Sequence, residues 1–396
     1  MRSLNLGQAL REALQVDPAF IPDIVARAAS GIGATDVVVY LVDFAQKTLE
    51  PLPDQYDHGG LPEEEVGVTM AGRAFLGRHP TVAERPEGVR VWVPVVEGSD
   101  RTGVLALTVS QAEPEVIGAC EELGILTGYL IASHARVTDI YTRHRSREAM
   151  SLAASIQWDH LPPLVLRTGR VAVAGLLEPA YEVGGDSFDY AINGPFFDMA
   201  IFDAMGHGLT SALVSSAAIG SYRHDRRRGH ALGRIHFNLD ATLSPLFDQG
   251  AFATGQLVRI ELDTGRMSWT NAGHPLPLLI RAGQVVGELV CAPTPPWGYG
   301  SLLGGGTAPP LATEALEPSD DILFYTDGVI EARTPRGARF GIDRLADLAT
   351  QHSSEHLEPE EIVRHLIRSV IEHQSDHLAD DASLVVARWQ GPGPKP

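Results

Sequence analysis

The sequence predicts an α+β protein of two domains: a smaller α/β domain, then a larger one built as two sheets covered by helices. Three observations carry this. The chain has 396 residues, longer than one ordinary domain. In its second half, strand-like runs follow one another in blocks, with Asp263-Thr264-Gly265-Arg266 as a hairpin signal, and helical periods fall in separate blocks. That is the pattern of antiparallel layers, not of a parallel sheet with alternating helices. Between the halves, residues 113–160 hold little Gly or Pro after Pro114 and repeat apolar residues at helical spacing. The expected division is a first domain at 1–135, a helical linker at 136–165 and a second domain at 166–396.

In the first domain, helical spacing at 20–33 precedes a strand at 35–43 and a second strand near 47–52. An acidic loop around 62–65 leads to a short helix near 70–76. Two strong strands follow, VRVWVPVV at 89–96 and TGVLALTVS at 102–110, joined by a turn at 97–100. The connector carries Ile117, Leu123, Leu126, Leu130, Ile131, Val137 and Ile140 on one stripe, which predicts a long helix leaving the first domain. Such a stripe needs a partner surface, most simply the same helix of a second copy, so a homodimer through the linker is expected. Pro162 and Pro163 end the helical stretch.

The second domain predicts strands at 171–177, 188–192, 196–202, 254–262, 267–271, 276–281, 285–289, 322–325 and 383–388. Helices are expected at 209–223, 230–247, 343–351 and 359–373, and the Pro/Gly-rich stretch 291–310 reads as a loop.

Composition limits the function classes. Lys plus Arg number 31 against 50 Asp plus Glu, a net charge of −19 that opposes sequence-independent binding to nucleic acid or anionic lipid. The single basic run, Arg223 to Arg228, is either a solvated helix end or a docking patch for an acidic or phosphorylated partner. Cys120 and Cys291 are too few for a disulfide framework or a cysteine metal site. The N-terminal residues lack the apolar core of a secretory signal, and no uninterrupted apolar run approaches the ~20 residues of a membrane span. A cytoplasmic protein is expected, with no nucleic acid and no membrane as partner.

Four acidic marks stand where apolar runs begin or end: Gly184-Gly185-Asp186, Asp203-Ala204-Met205-Gly206-His207-Gly208, Tyr325-Thr326-Asp327-Gly328 and Asp380-Asp381-Ala382-Ser383. One Asp beside Gly is usually a turn residue. Four at the ends of strands can instead gather carboxylates at one sheet edge, a donor set for hard divalent cations. Two ions sharing a carboxylate and a water would activate that water for attack on phosphorus. No HxH, HExxH or CxxC spacing offers a zinc site in competition.

The runs EVGGDSFDY at 182–190, FDAMGHGLTSALVSS at 202–216, NAGHPLPLLI at 271–280, LFYTDGVIEAR at 323–333, FGIDRL at 340–345 and DDASLVV at 380–386 resemble, in order, the motifs of PPM-type metal-dependent Ser/Thr protein phosphatases of the SpoIIE/RsbU-like branch. The resemblance covers about residues 150–390. It implies an αββα sandwich with two Mn²⁺ or Mg²⁺ ions between the sheets, and removal of phosphate from Ser or Thr of a small anti-sigma-factor antagonist, a STAS-like protein. The hairpin at 89–110 resembles the closing hairpin of a GAF sensor domain, with a PAS-type sensor as the alternative; a sensor and a linker helix commonly precede this type of catalytic domain.

Carried over motif by motif, the resemblance implies Asp203 as the bridging ligand, Ala204 as a main-chain carbonyl ligand where the family often has Gly, and Asp186, Asp327 and Asp380 as terminal ligands. Asp381 either reaches a metal or orients a ligand, and Asp189 falls outside the ligand set. His207, just before a helix N-terminus, either gives a proton to the leaving Ser oxygen, holds a water, or only fixes its loop. His274, framed by Gly273 and Pro275, reads first as a turn residue, and Gly184, Gly185 and Gly206 serve backbone geometry near the ions. The readings to be separated are this phosphatase, a catalytically silent signalling module of the same fold, and a hydrolase of small phosphoesters.

Overall fold

The structure, a computed structural model, describes residues 4–53, 61–182, 184–245, 251–299, 308–355, 357–375, 378 and 380–393. The expected loop 291–310 falls partly outside them, as does the end of the helix expected to reach residue 247. The chain divides into two compact units, Met1–Ala149 and Met150–Pro396.

The first unit is one antiparallel sheet with helices on both faces. Its strands are β1 (Thr35–Val42), β2 (Thr48–Pro51), β3 (Glu64–Glu65), β4 (Thr81–Arg85), β5 (Gly88–Glu97) and β6 (Asp100–Val109), in the order β3-β2-β1-β6-β5-β4. Strand alternation sorts the core. Val39, Leu41, Val91, Val93, Val95, Leu105 and Leu107 pack with residues of α1 (Leu6–Ala13), α2 (Ile21–Ser30) and α4 (Pro114–His134). Val38, Tyr40, Val42, Trp92, Val104 and Ala106 face Ala71, Ala74 and Phe75 of α3 (Met70–Gly77).

The expected long helix is not continuous. α4 stops at His134, α5 (Ile140–Arg145) is a short separate turn with Tyr141 in the core of the first unit, and α6 (Leu152–His160) belongs to the second unit. The stripe that suggested a second copy is the side α4 turns to its own sheet: Leu123, Leu126, Leu130 and Ile131 are buried there. Gly124 and Gly128 allow the close approach, since a Cβ would stand 2.6 Å from the Pro94 carbonyl oxygen and 2.0 Å from that of Val96. The stripe therefore gives no argument for a dimer. α4 is also, by length and composition, the one described helix apolar enough to cross a membrane, with half of its apolar window buried in the protein. Glu115, Glu121 and Glu122 interrupt its apolar run.

The second unit is a mixed α+β sandwich. Its first sheet has the order β15 (Ala312–Ala315), β12 (Arg266–Ala272), β11 (Ala253–Glu261), β10 (Phe196–Ala204), β9 (Asp186–Asn193). The second has the order β14 (Gln284–Glu288), β13 (Leu278–Arg281), β16 (Asp320–Tyr325), β17 (Ala382–Trp389), β8 (Val171–Glu178), β7 (Val165–Arg167). Along β10, Phe197, Met199 and Ile201 enter the large central core with Phe188, Tyr190, Val258 and Ile260. Ala200, Phe202 and Ala204 point the other way, against Val214, Ala218, Ile219 and Tyr222 of α7 (Leu209–Arg227) and Ile235 and Leu239 of α8 (Leu232–Leu243). On the far side, Leu345 and Ala349 of α10 (Ile342–Ser354) and Ile362, Val363, Leu366 and Val370 of α11 (Pro359–His373) join the core of the second sheet. The result is helices, sheet, sheet, helices.

Candidate metal centre

Asp186 opens β9 and Asp203 is the penultimate residue of β10, directly opposite it in the antiparallel ladder. Asp186 shares parity with Phe188 and Tyr190, and Asp203 with Phe197, Met199 and Ile201, so both carboxylates lie on the face turned to the second sheet. From that sheet, β16 ends at Tyr325, Thr326 follows, and Asp327 is the first residue of the short helix α9 (Asp327–Glu331). Asp380 and Asp381 immediately precede β17, which pairs with β16 through Tyr325 and Leu384, so both turns sit at one end of the sheet. The turns touch at Gly328, where a Cβ would lie 1.9 Å from the Asp381 carbonyl oxygen.

Two hydrogen-bond systems tie the two sheet ends together. The Thr326 hydroxyl donates to Asp186 Oδ2 at 2.5 Å and accepts from the Ser383 amide at 3.0 Å. Asp381 Oδ2 accepts from the Gly184 and Gly185 amides at 2.9 and 2.7 Å. Gly185 also lies against the Ala204 carbonyl, 2.7 Å from where a Cβ would be, so any side chain there would push on the carbonyl expected to bind metal. The Gln157 side chain of α6 donates to the Asp186 carbonyl.

The carboxylates feel one another. Burial, then Asp203 and Asp381, hold Asp186 well above the usual carboxylate range. Burial, then Asp327, Asp380 and Asp381, push Asp203 up to about 7. Asp327 is raised by burial and by Asp380, and Asp381 by burial against the pull of the glycine amides. Like charges crowded in a partly desolvated cleft shift in this direction, and divalent cations would relieve both causes. The donor set is all oxygen, which suits Mg²⁺ or Mn²⁺. Among the described residues no three His, Cys, Asp or Glu side chains already close on a single point as an ion would require.

The structure sorts the remaining candidates. Asp380 and Asp327 are exposed, whereas Asp381 accepts hydrogen bonds from the Gly184 and Gly185 amides. Asp189 lies away from the carboxylates, buried against Arg223 at 2.7 Å and Arg226 at 2.6 Å of α7. That pair accounts for half of the basic run; Arg227 and Arg228 are exposed. His207 is exposed between Gly206 (φ +88°) and Gly208 (φ +77°), just before α7. His274 is buried, and burial lowers it to about 3, leaving a neutral ring. Two residues were missed by the sequence reading: Thr326, although it stands inside the quoted YTDG run, and Thr254, whose place opposite Asp203 is fixed only by the β10–β11 register. Thr326 left one signal, a polar residue at the end of an apolar strand next to an acidic mark; Thr254 left none.

The second unit has the mixed α+β fold of PP2C-type phosphatase domains. The family model "Stage II sporulation protein E (SpoIIE)" matches residues 197–390, and the second unit is a SpoIIE-type phosphatase domain. Over 250 residues the chain is 26% identical to phosphoserine phosphatase RsbP of Bacillus subtilis (strain 168), an alignment covering 61% of this chain and 58% of RsbP. It is 23% identical over 267 residues to phosphoserine phosphatase RsbU of the same organism, covering 67% of this chain and 77% of RsbU. The chain thus spans little more than half the length of RsbP. Among solved structures, the SiaA-PP2C domain of Pseudomonas aeruginosa shares the fold, with a TM-score of 0.50 and 20% identity over 60% of this chain and 94% of that one.

Proposed function

We propose that the chain is a metal-dependent protein Ser/Thr phosphatase acting on a phosphorylated regulatory protein, an anti-sigma-factor antagonist of STAS-like type. The observation that carries the reading is the convergence of Asp186 and Asp203 from one sheet with Asp327, Asp380 and Asp381 from the other, all electrostatically coupled. Two relatives named as phosphoserine phosphatases support the reaction class. Two ions, Mn²⁺ or Mg²⁺, would be held by Asp203, the Ala204 carbonyl, Asp186, Asp327 and Asp380, with Asp381 orienting the Gly184–Gly185 turn. When bound, such ions acidify a shared water and polarise the phosphoryl oxygens.

The chain's own groups do the rest. Asp203, central among the carboxylates, sets the charge that draws cations into the cleft. His207, exposed just before α7, would give a proton to the departing Ser or Thr oxygen. The rigid Gly184–Asp186 turn keeps its ligand in place through the Asp381 hydrogen bonds. The first unit is proposed as a GAF-like sensor, and a cytoplasmic location belongs to the same reading. Mn²⁺ added with the chain to a lysate should remove phosphate from one or a few phosphoproteins, identified by mass spectrometry. Asp203→Asn should abolish this by at least ~10²-fold, beyond the ~10–100-fold typical of a group that only supports a ligand. Near-native turnover of Asp203→Asn at saturating Mn²⁺ overturns the two-metal assignment; hydrolysis of small esters with no phosphoprotein affected favours a small-phosphoester hydrolase.

A further inference from the structure

Thr326 stands at the head of a helix without using its side chain to cap it. It is the residue before α9, and a Thr in that place ordinarily accepts a hydrogen bond from an amide of the first turn. Here the hydroxyl makes no such bond. The Thr326 carbonyl turns into α9, where it accepts from the Val329 amide at 3.2 Å. Its amide stays with the ladder and donates to the Ser383 carbonyl at 3.1 Å. The return bond of such a pair would normally end on a backbone carbonyl. It ends instead on the hydroxyl, which accepts from the Ser383 amide at 3.0 Å.

That exchange decides where the hydroxyl proton goes. The Ser383 amide can only donate, so the Thr326 oxygen accepts there and its own proton needs another acceptor. Asp186 Oδ2, on the opposite sheet, takes it at 2.5 Å. Thr326 and Ser383 are fully buried and Asp186 is 2% exposed, so bulk water does not compete for the bond. The Ser383 hydroxyl is near enough to favour the charged form of Asp186, but it is buried without a hydrogen-bond partner. One side chain thus closes the β16–β17 ladder, leaves α9 uncapped and reaches across to a carboxylate of the other sheet.

We propose that Thr326 is a positioning residue that holds Asp186 by its Oδ2 and so presents the other carboxylate oxygen to an ion. This rests on the reading of Asp186 as a metal ligand. Because Thr326 directly precedes Asp327, the same bond sets the spacing between two ligands that come from different sheets. Groups that orient a ligating side chain commonly change metal affinity by about ten- to hundredfold. Fully buried, Thr326 itself would meet neither ion nor substrate.

The test measures Mn²⁺ affinity of the full chain by calorimetry and by electron paramagnetic resonance of free Mn²⁺, with the unfolding midpoint in EDTA recorded beside it. Thr326→Val keeps the shape and removes the hydroxyl; it should weaken Mn²⁺ binding about tenfold or more, and Thr326→Ser should restore it. Thr326→Val also strips the Ser383 amide of its acceptor, so its midpoint should fall. A residue that only closes the ladder would show that fall with wild-type Mn²⁺ affinity, and this result overturns the proposal. If Thr326→Val does not fold, Thr326→Ala, which leaves room for a water at the Ser383 amide, replaces it with the same expected loss. In an Asp186→Ala background Thr326→Val should weaken binding no further, because Thr326 acts through Asp186; losses that add overturn the proposal. Ser383→Ala should lose less affinity than Thr326→Val, and an equal loss would show that a nearby hydroxyl suffices without a directed bond. Asp203→Asn separates the two levels. If it binds Mn²⁺ like the wild type, the metal centre is wrongly placed and the proposal falls with it, whereas a loss there without one in Thr326→Val sinks the positioning role alone.

Discussion

At Asp203, burial and three neighbouring carboxylates act in one direction, raising the group to about 7. An unfolded chain would hold the same Asp near ~3.9. Between these values the unfolded chain has released a proton that the folded chain keeps. The stability tied to this group is therefore present below about pH 4 and lost as pH rises toward about 7. With EDTA present, the unfolding midpoint should fall between about pH 4 and about pH 7, and the fall should be smaller in Asp203→Asn. Saturating Mn²⁺ should flatten the profile, because binding favours the deprotonated carboxylates. A midpoint that rises with pH equally in both proteins removes Asp203 from the coupled group. The acidic marks themselves were legible in the sequence, since each Asp borders an apolar run. What sequence could not give is which oxygens are already taken: Asp381 differs from Asp380 only in facing the Gly184 and Gly185 amides, a contact across almost two hundred residues.

The elements hold the site through long-range pairs of the same kind. β9 carries Asp186 at one end and Asp189 three residues further on, on the opposite face, and Asp189 clamps Arg223 and Arg226 of α7 against the sheet. Asp189 and Arg226 are both buried, so removing the acid would leave cations without their partner. Asp189→Ala should lower the unfolding free energy by about 3 kcal/mol or more, read by denaturant titration. A change below about 1 kcal/mol would show the pair to be no better than a surface contact. The basic run read as helix end or docking patch is thus partly a structural clamp. The nine strands read from alternation in the second half are all present; all but the edge strand β14, which is only half-buried on one face, have a buried face. β7 and β15 escaped because three- and four-residue edge strands carry too little alternation, and α9 because five residues hold less than two turns. The connector misled for a different reason: periodicity reports that a face is covered but not by what, and α4 is covered by the chain's own sheet.

For the whole molecule, each unit has its own core, and the second contains every candidate metal ligand. The two-domain α+β organisation was legible from length and from the blocks of strands and helices, while the boundary between units, after Ala149, was hidden by the apparent continuity of the helical period. The connection between units is short: after α5 ends at Arg145, α6 begins at Leu152. α6 in turn reaches the metal centre, since Gln157 holds the backbone carbonyl of Asp186. A chain entering through α6 can therefore bias the placement of Asp186, and if Asp186 is a ligand that bias would change the affinity for the proposed ions. Residues 150–396 alone should fold, bind Mn²⁺ and release phosphate from the phosphoprotein, but with a half-maximal Mn²⁺ concentration different from that of the full chain. The comparison is a Mn²⁺ titration of turnover for the two proteins, with the substrate KM measured in parallel. A shifted Mn²⁺ midpoint at constant KM places control at the ligand set. An unchanged midpoint with a changed KM places it at substrate docking, and identical curves for both proteins exclude any coupling through α6.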